Sequence, residues 1–137
     1  VTILTSRRSL LTGGAAAIAT SAVCIASAPD SIEYHWQARR QAFQEFEADA
    51  LVLDDAVTAQ NYWDRVDAAE MAILNSPDTS PRATEIRLWV AWWHTDVTHR
   101  EAVSQGAVAA LLPIRNDLDW EEKLIFAAIL NLRGENL

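Results

Sequence analysis

The sequence predicts an all-α protein, a small bundle of about four helices that follows a distinct N-terminal segment. Three observations carry this. After residue 28 only Gly106 and Gly134 occur, which argues against a fold built on many tight β-turns. Apolar residues recur at three- and four-residue spacing through the rest of the chain. The breaks between those stripes carry capping residues and prolines.

Taken in order, Asp30 and Glu33 form a capping pair that opens a helix bearing Ile32, Trp36, Phe43, Phe46, Ala50 and Leu53 on one face. Beyond Val57 that stripe would fall on Gln60, Asp64 and Asp67. A second stripe of Ala59, Tyr62, Trp63, Val66, Ala69, Ile73 and Leu74 replaces it. The change of phase predicts two helices joined near Asp54, with Asp54 or Asp55 as cap. In an antiparallel hairpin turning there, facing positions have numbers that sum to about 109. Trp36 then faces Ile73, Phe43 faces Val66 and Phe46 faces Trp63. Arg39 and Glu70, the polar intruders in the two stripes, also face each other. A charge in an apolar stripe needs a partner, so the register predicts an Arg39–Glu70 ion pair, with nitrogen and oxygen within about 6 Å.

Pro77 ends the second helix and "SPDTSPRAT" is a loop. Ser80 as cap and Pro81 at the first helical position open a third helix, expected to run to about Ser104. Gly106 interrupts, Ala107 to Leu112 is a short apolar piece, and Pro113 ends it. Asp119 and Glu122 form a capping box for the last helix, which reaches Arg133 with Gly134 as its C-terminal cap. Trp120, Leu124, Ile125, Phe126, Ile129, Leu130 and Leu132 make this helix apolar nearly all round. It is expected at the centre of the bundle or against a partner.

The first 28 residues read as a separate unit. Arg7 and Arg8 precede an uncharged run from Leu10 to Ala28, and Ala26-Ser27-Ala28 has the small-x-small form of a cleavage site. The alternative is a retained transmembrane helix, with the arginines holding the N-terminus in the cytoplasm. The five strongly apolar aliphatics in the run favour insertion by only about 1.5 to 3 kcal/mol, and its Gly, Ser and Thr residues offset much of that. Cleavage is therefore the expectation. Lipidation at Cys24 is disfavoured by the bulky Val23 before it. The boundaries are thus 1–28 for the signal and 29–137 for a single acidic helical domain.

"SRRSLL" (Ser6 to Leu11) resembles a twin-arginine export signal. Together with the tryptophan-bearing hairpin, "AILNSPDTSPRATEIRLWVA" and the closing helix with Trp120, the chain resembles small alphaproteobacterial proteins that carry a twin-arginine translocation signal. That resemblance implies export to the periplasm or beyond and contact with the export machinery. It implies no activity. A retained helix over residues 10–28 would instead leave the protein anchored in the inner membrane, as a subunit of a complex there.

Composition narrows the function further. Without residues 1–28, 109 residues remain, with nine basic against 19 acidic side chains and a formal charge of −10. Such a balance repels phosphate backbones and anionic lipid surfaces, so nucleic acid is not an expected partner. Cys24 is the only cysteine, so the remainder has neither disulfide nor thiolate chemistry. All six tryptophans lie after the signal.

"WVAWWHTDVTHRE" (Trp89 to Glu101) is the segment richest in potential chemistry. His94, Asp96 and His99 would be the ligands or acid–base groups of an exported enzyme or cofactor-binding protein. His94 and His99 stand about 140° apart on a straight helix, whereas helical zinc ligands sit at i and i+4. No metal and no cofactor are therefore expected. Ile86, Val90, Trp93 and Val97 share a face with Trp89 beside them, the expected core side. Trp92 and His99 fall on the opposite face and make the candidate binding surface. The carboxylates from Glu45 to Asp49 alternate by two and do not converge, as a solvated acidic face requires. The expectation is a non-catalytic binding module whose partner is a protein.

Overall fold

The computed structural model describes residues 28–49, 55–95 and 98–135. Arg7, Arg8 and Ala26, expected to belong to an export signal, lie outside the described residues, as do Asp54 and Asp96. The described residues are all-helical: α1 (Ile32–Ala48), α2 (Ala56–Asn75), α3 (Pro81–Trp93), α4 (Arg100–Gln105), α5 (Val108–Leu111), a 3-10 turn (Leu112–Ile114) and α6 (Trp120–Leu132). No helix among them is long and apolar enough to cross a membrane.

Each long helix starts where a side chain caps free backbone N–H groups. Ser31, not Asp30, opens α1: its backbone is extended and its Oγ accepts from Tyr34 N at 3.1 Å. Glu33 is thereby released to bind Arg82, 2.9 Å away on α3. Asp55 caps α2, Ser80 caps α3 ahead of Pro81, and Asp119 with Glu122 forms a two-way capping box on α6.

α1 and α2 form an antiparallel hairpin in the predicted register. Arg39 Nε lies 2.7 Å from Glu70 Oε1 and the Phe46 and Trp63 rings lie 5.2 Å apart. Ala42, Phe43 and Val66 are buried together, and Trp36 and Ile73 belong to a larger core with residues of α3 and α6. Trp93 packs against both clusters and joins them.

The third helix stops eleven residues before its expected end at Ser104. Thr95 donates both its backbone N–H (3.0 Å) and its hydroxyl (2.7 Å) to the Trp92 carbonyl, the competition that short polar side chains offer a helical ladder. The chain resumes as α4 at Arg100, which with α5 makes six α-helices among the described residues where about four were expected. Gly106 ends α4 at φ +63°, where an added Cβ would lie 2.9 Å from the Trp36 ring. Only glycine satisfies both the left-handed backbone and that close approach.

The last helix is not the centre of the bundle. Glu122, Phe126, Ile129 and Leu130 are buried against α3, while the opposite side of α6 is open. The packing of α3 also differs from expectation. Its buried residues are Ala83, Glu85, Ile86, Trp89 and Trp92, with Val90 and Trp93 only half-buried. The stripe of Ile86, Val90 and Trp93 looks toward the hairpin. The second stripe is covered by α6, so α3 is clasped on two sides.

Candidate functional site

Trp92, expected at a binding surface, is wholly buried. Its ring stacks on Trp89 with centroids 5.5 Å apart and planes 5° from parallel, and it tilts against Phe126 of α6 at 5.9 Å. A helix clasped on two sides has no free aromatic face there. Both indoles meet a buried carboxylate. Trp89 Nε1 donates to Glu85 Oε1 at 3.2 Å and Trp92 Nε1 donates to Glu122 Oε1 at 3.3 Å. Glu122 spends its other oxygen on the backbone N–H of Asp119, and Glu85 also binds Arg82 and Arg133. These glutamates satisfy core donors rather than face a substrate.

The other buried charge is Arg39. Its Nη1 donates to the Ser104 carbonyl at 3.2 Å, which fastens α4 to the hairpin. Among the described residues Nη2 meets no hydrogen-bond acceptor. The guanidinium carbon lies 4.7 Å from the Phe43 ring centre, 5.5 Å from that of Trp36 and 5.6 Å from that of Trp93. Three π faces thus surround a cation that burial has stripped of water. Burial pulls the guanidinium below its ordinary pKa, and the hydrogen bond and charge of Glu70 oppose that pull.

Glu70 couples this centre to the surface. Its Oε1 holds Arg39, and its Oε2 lies 2.7 Å from Nε2 of the exposed His94. Both oxygens of this carboxylate are thus engaged, one with the buried cation and one with the surface imidazole. His99 sits half-buried at the start of α4, apart from this pair. Among the described residues no group of three His, Cys, Asp or Glu side chains is arranged to hold a metal ion.

Two open surfaces carry exposed apolar side chains. On α6, Trp120 is 74% exposed and Leu124 56%, with Ala127 and Ala128 exposed on the same side. These four residues fall within an arc of about 100°. A second surface follows the seam of α2 and α3. There a groove of about 400 Å³ is lined by Asp67, Glu70, Met71, Leu74, Val90 and His94. It adjoins a hollow that reaches Arg87 and Ala91. Sequence reasoning placed Leu74 in the core stripe, whereas it is 68% exposed at the end of α2.

No protein-family model matches the chain, and no curated protein or solved structure matches it significantly. The functional reading therefore rests on the geometry of these surfaces.

Proposed function

We propose that the protein is an exported helical binding module, without catalysis of its own, whose contact surface is the open face of α6. The observation that carries this reading is Trp120. A tryptophan left three-quarters exposed, one turn from an exposed leucine, forgoes burial that a small domain needs, unless a partner supplies it. Indole side chains are also among the residues that most often dominate the affinity of protein contacts. The engaged oxygens of Glu70 and the core roles of Glu85 and Glu122 support a non-catalytic reading.

Export rests on the arginine pair Arg7-Arg8 and the cleavage pattern ending at Ala28. Mass spectrometry of the protein recovered from exporting cells tests it: a mature chain beginning at Pro29 is expected. An intact N-terminus would favour a membrane-anchored subunit instead. For the contact surface, a photo-crosslinking residue is placed at position 124, with a control at the exposed Gln60 on α2. A discrete protein adduct at 124 alone is the expected result. Equal yields at the two positions, or no adduct at either, would contradict the reading.

A further inference from the structure

The two open apolar surfaces lie on opposite sides of α3. At 100° per residue, Glu85, Trp89 and Trp92 point toward α6, while Arg87, Val90, Ala91 and His94 point about 180° away toward the groove and its adjoining hollow. One molecule therefore cannot lay its own α6 face into its own groove, because α3 stands between them. The two surfaces nonetheless share an apolar character, with Trp120 and Leu124 standing out on α6 and Met71, Leu74 and Val90 lining the groove.

Charged groups flank both surfaces. Lys123, the only lysine in the chain, flanks the ridge on one side, and Glu121 flanks it on the other, about 160° around the helix. The groove carries Asp67 and Glu70 on its α2 wall and His94 on its α3 wall, with Arg87 in the adjoining hollow. Glu70 already binds Arg39 and His94, and Arg87 donates to the Ser76 and Asp78 carbonyls. Asp67 is thus the carboxylate best placed to receive Lys123. Lys123 beside the ridge and Asp67 beside the groove thus offer one pair of opposite charge across such a contact.

We infer that the partner of the α6 face is a second copy of this chain, whose α2–α3 groove receives Trp120 and Leu124 in a head-to-tail contact. The inference rests on the reading of α6 as a contact surface. The contact is heterologous, so repetition gives a closed ring or an open chain of molecules rather than a two-fold dimer.

Sedimentation velocity over a range of concentrations tests this. The purified wild-type protein is expected to form species larger than a monomer as concentration rises. Trp120→Asp and Leu74→Asp each remove one half of the contact and are expected to weaken association by about 30-fold or more. Both positions are exposed, and circular dichroism checks that each variant stays folded. The two variants mixed in equal amounts should form a 1:1 dimer that grows no further, because each retains the half the other lacks. Lys123→Glu is expected to weaken association by about 3- to 10-fold, with recovery on adding Asp67→Lys in the same chain.

Association lost in Trp120→Asp but retained in Leu74→Asp would overturn the groove as the receiving site and leave the α6 surface standing. A wild-type protein that stays monomeric throughout would overturn self-association. Crosslinking from position 124 then decides separately whether α6 contacts a different protein.

Discussion

Trp92 and Trp120 are the same residue type in two opposed settings. Trp92 on α3 is wholly buried, stacked on Trp89, and its indole N–H meets a buried glutamate. Trp120 on α6 is the most exposed large apolar residue described in the chain. The difference follows from how each helix is covered. Among the described residues α3 is clasped between the hairpin and α6, whereas α6 packs on α3 and leaves its other side exposed. An apolar helix with only one side covered leaves apolar side chains exposed on the other. The comparison separates residues that hold the fold from residues available for contact.

The largest effects should come from the covered side. Trp92→Ala removes a stacked indole and strands Glu122, so a loss of about 3–5 kcal/mol is expected in equilibrium urea unfolding. A loss below about 1 kcal/mol would mean that the clasp around α3 is loose. Glu70→Ala leaves the buried Arg39 without its carboxylate and should cost about 3 kcal/mol by the same measurement. Glu70→Gln, which keeps an acceptor, should cost clearly less. Equal losses would show that the ion pair contributes no more than packing.

Gly106→Ala is next, at about 2 kcal/mol, because it combines an unfavourable backbone at φ +63° with a Cβ pressed on Trp36. Gly134 has a similar φ but open space around it, so Gly134→Ala should cost no more than about 1 kcal/mol. The two glycines compared by thermal unfolding isolate the steric part. Indistinguishable shifts would argue against the close approach at Gly106.

Acid gives a smaller effect with a defined sign. Burial pushes the Glu33 carboxyl up, but hydrogen bonds from Arg82 and Gln37 outweigh it, so its folded pKa lies below the ordinary 4.5. Hydrogen bonds from the Thr58 hydroxyl and the Val57 backbone N–H likewise lower Asp55 below 3.8. A carboxyl whose folded pKa is depressed stabilises the fold fully above its unfolded value and loses that contribution as pH falls through the folded one. The urea midpoint should therefore decline below about pH 4.5. Glu33→Gln should flatten that decline slightly, by less than about 1 kcal/mol, since the pair with Arg82 is half-exposed. An unchanged midpoint down to about pH 3 would contradict the sign.

The sequence made the hairpin legible because its two stripes are long and regular. Once the turn is placed near Asp55, the register brings Arg39 to Glu70 without further information. The capping box at Asp119 was equally readable, being local chemistry. The end of α3 was not, because Thr95 stops the helix through a hydroxyl that helical periodicity ignores. Trp92 was misjudged for a related reason: one apolar stripe was taken as the core side, and a helix clasped on two sides has two. The α6 surface could not be read at all, since a helix apolar all round gives no sign of which side is covered. Leu74 is similar: Ile73 beside it is buried, and about 100° further round α2 Leu74 is left exposed.

The most direct test of the division between fold and contact is the unfolding free energy of Trp120→Ala, measured dilute enough that the protein is monomeric. The account predicts a change within about 0.5 kcal/mol of wild type, as for other substitutions at exposed positions. A loss of about 3 kcal/mol or more, the range expected for Trp92→Ala, would place Trp120 in the core and contradict the claim that α6 presents a free contact face.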